Sequence, residues 1–462
     1  MTIIVLIPAL YAAYIAWTQS PHQAFIYVYV PVLLFLPDYY YWKIIGIPDP
    51  NFATATILAI LPIWFIRGLP GWRFSFTDIL IYGYVLAVLY SESLSPAGSA
   101  YYQNFVANFT SSVLFPYILA KSLIEPAGLR IEFAKSLVLT LFFVAIAMVW
   151  QFITLSPYTL TQSLLGRFFG GQGWSLTGDM RWGLRRVTGP FQHEILAGVV
   201  MWTGYRIQRW LEWSQVWPSR LQQFPWLPIS LPRLLSIGIF VGAVTSLTRG
   251  PMVGAVVAAF IPLLGLTKKR WLIFWIIVTF FFVVGTPILK WFIDYASIDP
   301  AYAQDQSQQT VAYRWHLVID YIDVAMERAV WGWGRFGMPV LGKFQSSIDN
   351  HFLLLLLRHG AVATSLFTLL FISMMARLFI RSMFQPLPDL PGSSLGFTLL
   401  SVYVLIFVAI ATVWLGHQTE PLLFLITGWS EGYLLSDQKY TASARHAISS
   451  TPQQQFKFKR IL

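Results

Sequence analysis

The sequence predicts an all-α, polytopic integral membrane helical bundle, and three observations carry that reading. Hydrophobic residues make up 56% of the 462 residues and charged residues only 11%, whereas a soluble domain runs at about 45–50% and about 25%. Apolar stretches approaching the length of a spanning helix, roughly 20 residues, recur along the whole chain. Trp and Tyr, 20 and 22 in number, suit the membrane–water boundary, where an apolar ring reaches water through one N–H or O–H.

Taken in order, the apolar segments fall near 2–17, 24–36, 52–66, 76–91, 105–122, 132–154, 191–210, 233–247, 251–267, 271–292, 351–376, 396–415 and 420–436. They amount to about 11–13 spans. The first, MTIIVLIPALYAAYIAW, lacks a basic n-region and a small-residue cleavage site, so it reads as a membrane segment and not as a signal peptide. Lys and Arg in short loops mark the cytoplasmic side. Lys268, Lys269, Arg270, Arg377 and Arg381 do so here, as does the basic loop 206–233. The tail after Ser436 is basic and Gln-rich, and is expected to be cytoplasmic and disordered. The net charge of +11 then reads as inner loops facing anionic lipid, not as a nucleic-acid surface.

Alternation places three connections on the outer face: residues 155–190, the tight turn SLTRGP at 246–251, and the long loop 293–350. The chain divides into N-terminal transmembrane helices (1–180), a core (181–376) that includes the outer loop 293–350, C-terminal transmembrane helices (377–436) and the tail (437–462). The long loop contains its own helix. Apolar residues at 311, 315, 318, 319, 322, 326, 329 and 330 follow a spacing of three and four. His316, Asp320, Asp323 and Glu327 form a polar stripe, with Arg314, Tyr321 and Arg328 on a separate edge. Such a helix can lie across the mouth of a bundle with its apolar face down. Glycines 332, 334 and 337 end it.

The outer connections hold Arg185, Arg186, Arg249, Arg314 and Arg335, together with Asp349, Asn350 and His351 at the start of an apolar helix. Arginine is disfavoured in outer loops by topology, so its presence calls for a reason. Its flat fork of donors matches phosphate oxygens two at a time. A carboxylate or imidazole nearby can take a proton from a hydroxyl. Together these residues describe group transfer from a phosphate-activated donor held in the membrane. The plainer readings stand beside this one. A loop arginine commonly pairs with an acid or a lipid phosphate, and Asp349 or Asn350 is a good helix N-cap. His193, in GPFQHE, serves equally well to cap or orient a helix start. Arg249 is the least easily dismissed, since it sits on a turn between two apolar helices with few acids near it in sequence.

Other chemistries find little support. With no cysteine in the chain, disulfides, thiolate metal sites and Cys nucleophiles are excluded. There is no Walker loop, no Gly-rich dinucleotide turn and no HExxH. The acids at 299, 305, 320 and 323 have no specific metal-ligand spacing. No cofactor is called for. A transporter favours charges at mid-membrane, whereas here they gather at the outer rim.

Four stretches together resemble the O-antigen ligase and polymerase family of bacterial envelope glycosyltransferases. They are RRVTGPFQHEILAG (185–198), SLTRGPMVGAVVA (246–258), YRWHLVIDYIDVAMERAVWGWGRFG (313–337) and DNHFLLLLLRHGAVA (349–363). The resemblance covers roughly residues 180 to 370 and lies in the order and spacing of all four. It implies a metal-independent glycosyltransferase of the cytoplasmic membrane, working at its outer face. Its partners would be a polyprenyl-pyrophosphate-linked glycan donor, a glycan or lipid acceptor and membrane lipids. Arg249 and Arg314 would clamp the pyrophosphate, and Arg186 would orient donor or acceptor. Asp349 or His351 would be the base, and Arg358 and His359 would line the cavity behind it. Arg185, Asn350, Arg335 and His193 complete the candidate substrate-binding set. The chain departs from the ligase pattern at one point: counting back from Gly360, the position of the ligase His is Asp349 here. This resembles chain polymerases more than ligation onto a lipid acceptor. Three readings follow: a polymerase of exopolysaccharide or O-antigen repeat units, a ligase moving finished glycan to lipid or protein, and, in another class, a flippase of lipid-linked glycans.

Overall fold

The computed structural model of the chain describes residues 2–43, 48–96, 98–173, 180–218, 229–339, 341, 348–386, 390, 392–416 and 418–450. It is 74% helical, and the strands among the described residues form one two-stranded hairpin. The all-α membrane class is therefore confirmed. Among the described residues, three helices are long and apolar enough to cross a membrane: Arg130–Thr154, Arg270–Ala296 and His351–Phe384. Six shorter apolar helical segments accompany them. Lys343 and the end of the tail, 451–462, lie outside the described residues.

Local chemistry sets most element ends. Helix α1 is Leu6–Thr18. Helix α2, Pro21–Phe35, starts where the Ser20 hydroxyl accepts from the Gln23 amide and Pro21 takes the first turn. A π-helical stretch, Phe25–Tyr29, precedes Pro31, whose ring and missing N–H disturb the turn before it. Helix α3, Phe52–Ile66, is capped by Asn51. Helix α4, Phe76–Ser93, opens on a capping box of Ser75 and Asp78. The single span expected at 105–122 is in fact two helices, α5 (Ser99–Ser112) and α6 (Leu114–Leu123). They part at Val113, just beyond the carbonyl that the Pro116 ring would strike in a continuous helix.

Beyond α7 (Arg130–Thr154) come α8 (Glu194–Trp213), α9 (Leu231–Thr245), α10 (Arg249–Ala259) and α11 (Arg270–Ala296). The loop helix α12 spans Gln306–Glu327, and α13 (His351–Phe384), α14 (Leu395–Ile410) and α15 (Thr419–Ser450) follow. Buried apolar side chains from α1 to α10 and from α13 to α15 form one core. A smaller core joins α12 to the first turns of α13 through Leu317, Tyr321, Val324, Ile348, Leu353 and Leu357.

Helix α12 has two apolar faces where one was expected. Leu317, Tyr321 and Val324 pack on α13, while Val318, Ile319, Ile322 and Met326 are exposed, the arrangement expected of a helix lying at a lipid interface. Tyr321, expected on the polar edge beside Arg314, is fully buried and its hydroxyl accepts from the Leu341 amide at 3.2 Å. An aromatic ring carries enough apolar area to override its one polar atom once that atom is bonded.

Away from α12, the bundle interior holds charged residues in pairs. Lys121 Nζ lies 2.6 Å and 2.7 Å from the two Asp78 oxygens, and the Tyr117 hydroxyl donates to Asp78 at 2.6 Å. Arg377 pairs with the buried Glu431 at 2.7 Å. Partners of this kind are required where a lone charge would be very costly.

Candidate active site

The first component of the site is the turn between α9 and α10. Leu247 adopts a left-handed φ of 48°, which turns the chain sharply enough for Arg249 to open α10. Ser246 and Thr248 are fully buried, with their hydroxyls 2.9 Å apart. Thr248 packs so tightly on α8 that a Cβ on Gly198 would lie 2.3 Å from its hydroxyl. The turn is thereby locked, and Arg249 projects from it into the open.

A short hairpin covers this turn. Met180–Arg181 pairs with Leu184–Arg185, and the connecting Trp182 and Gly183 both have positive φ, 52° and 75°, as a two-residue type I′ turn requires. Arg181 donates to the Leu247 carbonyl at 2.7 Å. The Trp182 ring lies 5.4 Å from the Arg249 guanidinium, within cation–π range. Arg186 is buried and lies 3.8 Å from Glu194. Burial first, and then the like charges of Arg186, Arg249 and Arg314, pull the Arg181 guanidinium down to about 10. Three guanidiniums are therefore close enough to act on Arg181, and Glu194 only partly offsets them.

The third component comes from α12 and the start of α13. Arg314 donates to Asp349 through Nη2 at 3.0 Å and Nε at 3.3 Å, with both side chains about a quarter to a third exposed (30% and 25%). Burial and the Asp349 carboxylate push the Tyr313 phenol up. Asn350 caps α13, its Oδ1 accepting from the Leu353 amide at 3.1 Å. His351 turns inward. Its Nδ1 accepts from the Leu415 amide at 3.1 Å, so the ring proton sits on Nε2.

The structure thus groups Arg186, Arg249, Arg314 and Asp349, and adds Arg181, which was not singled out from sequence. Its role shows only in three dimensions, because the hairpin is what carries it to the turn. His193 lies beside this group and caps α8, its Nδ1 accepting from the Ile195 amide at 3.1 Å. Arg185 points the other way and donates to the Leu155 carbonyl at 2.5 Å. Arg335 and His351 face a separate cavity of about 940 Å³, which Arg358 and His359 also line. The buried Glu92, not singled out from sequence, accepts from the Arg335 amide at 3.2 Å and lies 3.9 Å from His359.

Gly360 positions this region. It breaks α13 with φ 71°, and the freed backbone groups bond to the segment after α12. Trp333 N donates to Leu357 O at 2.8 Å, and Ala361 N to Ala329 O at 2.6 Å. A Cβ on Gly360 would sit 2.2 Å from the Val330 carbonyl oxygen. The glycines of WGWG and RHG are therefore two halves of one close backbone contact.

Fold and site together define an all-α membrane protein with an arginine-rich polar site where a short hairpin, a turn and an amphipathic loop helix meet. Residues 234–368 match the family model described as O-antigen ligase, so this part of the chain is similar to that family. That family implies a glycosyltransferase-like ligase or polymerase activity on a lipid-linked glycan. The matched region holds Arg249, Arg314, Arg335, Asp349, Asn350 and His351, whereas Arg181, Arg185, Arg186 and His193 precede it. No curated protein matches the chain.

Proposed function

We propose that this protein transfers glycan from a polyprenyl-pyrophosphate donor to an acceptor hydroxyl at the outer face of the cytoplasmic membrane, polymerising exopolysaccharide or O-antigen repeat units. The observation that carries this is the gathering of Arg186, Arg249 and Arg314 around Arg181, four arginines against two carboxylates, Asp349 on Arg314 and Glu194 near Arg186. A pyrophosphate supplies the negative charge that such a cluster lacks.

In this mechanism Asp349 takes the proton of the acceptor hydroxyl. The oxygen attacks the anomeric carbon of the donor, forming the new glycosidic bond. The bond from that carbon to the phosphate oxygen breaks, and its electron pair leaves on the polyprenyl pyrophosphate. Arg249 and Arg314 stabilise that developing charge, so the reaction is metal-independent. Asp349 fits the base better than His351, whose Nδ1 lone pair is taken up by the Leu415 amide. Arg314 has two tasks in this scheme: it holds the Asp349 side chain in place before donor binds and turns to the phosphate afterwards.

The test is the glycan profile of cells carrying Arg249→Ala, with membrane insertion checked in parallel. Loss of long glycan with single repeats accumulating on the carrier is the expected result. Long carrier-bound chains would instead make the protein a ligase. An unchanged profile from an inserted variant would remove the mechanism.

A further inference from the structure

The cavity that His351 faces is distinct from the arginine cluster. Its volume, about 940 Å³, is near the upper end of the roughly 300–1,000 Å³ usual for ligand sites. Neither Arg249, Arg314 nor Asp349 lines it. The first turn of α13 is the wall between the two: Asp349 bonds Arg314 on one side, and Ile348 and His351 border the cavity on the other.

Several donors in this cavity await acceptors. His351 is only 5% exposed, and its Nε2 has no hydrogen-bond partner among the described residues. The Nε of Arg358 is likewise buried without a partner. Asn108, on α5, is partly buried and also lines the cavity. Buried donors left unmatched cost free energy, so the convergence of His351 Nε2 and Arg358 Nε on one space points to a ligand rich in acceptor oxygens. Asp38 and Glu420 add acceptors for hydroxyl donors, and Phe105 and Trp414 add aromatic walls. Hydroxyls that both donate and accept, set on a ring with apolar C–H faces, are the chemistry of a sugar.

We infer that this cavity is a glycan subsite that holds the acceptor chain, with Arg358, His351 and Asn108 hydrogen-bonding sugar oxygens while the pyrophosphate occupies the arginine cluster. The inference rests on the glycosyl-transfer reading above. On this arrangement the acceptor's reactive hydroxyl reaches Asp349 from the His351 side, and its length is limited by the cavity to a short oligosaccharide at a time.

The test uses the full chain purified in nanodiscs and two probes measured by calorimetric titration. One is the repeat-unit oligosaccharide released by mild acid from the host's own lipid-linked pool, and the other is inorganic pyrophosphate. Asn108→Leu and Arg358→Gln are each expected to weaken oligosaccharide binding about three- to ten-fold and to leave pyrophosphate binding as it is. Arg249→Ala is expected to do the reverse. Asn108→Leu removes no hydrogen bond to the described residues, so it reports on the cavity even if Arg358→Gln folds poorly. Oligosaccharide that fails to bind wild-type protein that still takes pyrophosphate would overturn the cavity assignment and leave the transfer reading intact. So would oligosaccharide affinity equal to wild type in Asn108→Leu. Binding of oligosaccharide with no pyrophosphate binding at all would support the cavity while removing the pyrophosphate clamp.

Discussion

Asp349 and Arg314 illustrate how one pair of side chains can serve both packing and chemistry. The pair bridges α12 to the mouth of α13 through two donated N–H groups, and the same carboxylate is the proposed base. Asp349→Asn keeps the shape and removes the charge. Its expected effect is a loss of transfer rate of about a hundred- to ten-thousand-fold, the usual contribution of a positioned general base. Transfer assays on purified protein with lipid-linked donor measure this directly. Unimpaired transfer would move the base elsewhere. Asn350 shows the opposite division of labour. Its oxygen is committed to the helix cap, so its contribution to the site lies in fixing where its two neighbours point.

The kinked helix α13 decides where several of these groups sit. Its break at Gly360 admits the backbone of residues 329–333, which ties the end of α12 to the cavity wall. Gly360→Ala must place a Cβ against the Val330 carbonyl at a φ that L-residues avoid. We expect this to cost about 2 kcal/mol or more, read as a lower unfolding midpoint in detergent. If the midpoint stays where it is in wild type, the kink is a soft feature of the helix and not a fixed joint. The hairpin 180–185 is the second device of this kind. A Trp at positive φ is unusual, and here it places an aromatic ring against Arg249.

For the molecule as a whole, the buried charge pairs are expected to govern stability. Lys121 and Asp78 are 1% and 0% exposed, so removing one charge strands the other. Lys121→Met should destabilise by about 3–5 kcal/mol, and adding Asp78→Asn should recover part of that loss. Thermal unfolding of the single and double variants checks both. The orientation is open to an equally direct experiment, because the chain contains no cysteine. Tyr302→Cys, in the loop before α12, should react with a membrane-impermeant maleimide on intact spheroplasts. Lys268→Cys should react only after permeabilisation. The reverse pattern would invert the proposed topology.

Composition and apolar runs were enough to read the all-α membrane class, because lipid demands helices whose backbone is satisfied within each segment. The positions of the chemistry-bearing arginines were legible too, since charge at a membrane rim is conspicuous. The break at Val113 was in principle readable from Pro116, and the glycines of WGWG and RHG announced special backbone without revealing that they meet. What only tertiary structure decided was convergence and direction. Arg181 reaches the turn because a hairpin folds over it, Arg185 one strand later points away, and Asp349 and His351, two residues apart, face different compartments. Side chains one or two residues apart on a helix start diverge by geometry, so neighbours in sequence part company, while Gly198 and Thr248, fifty residues apart, come into contact.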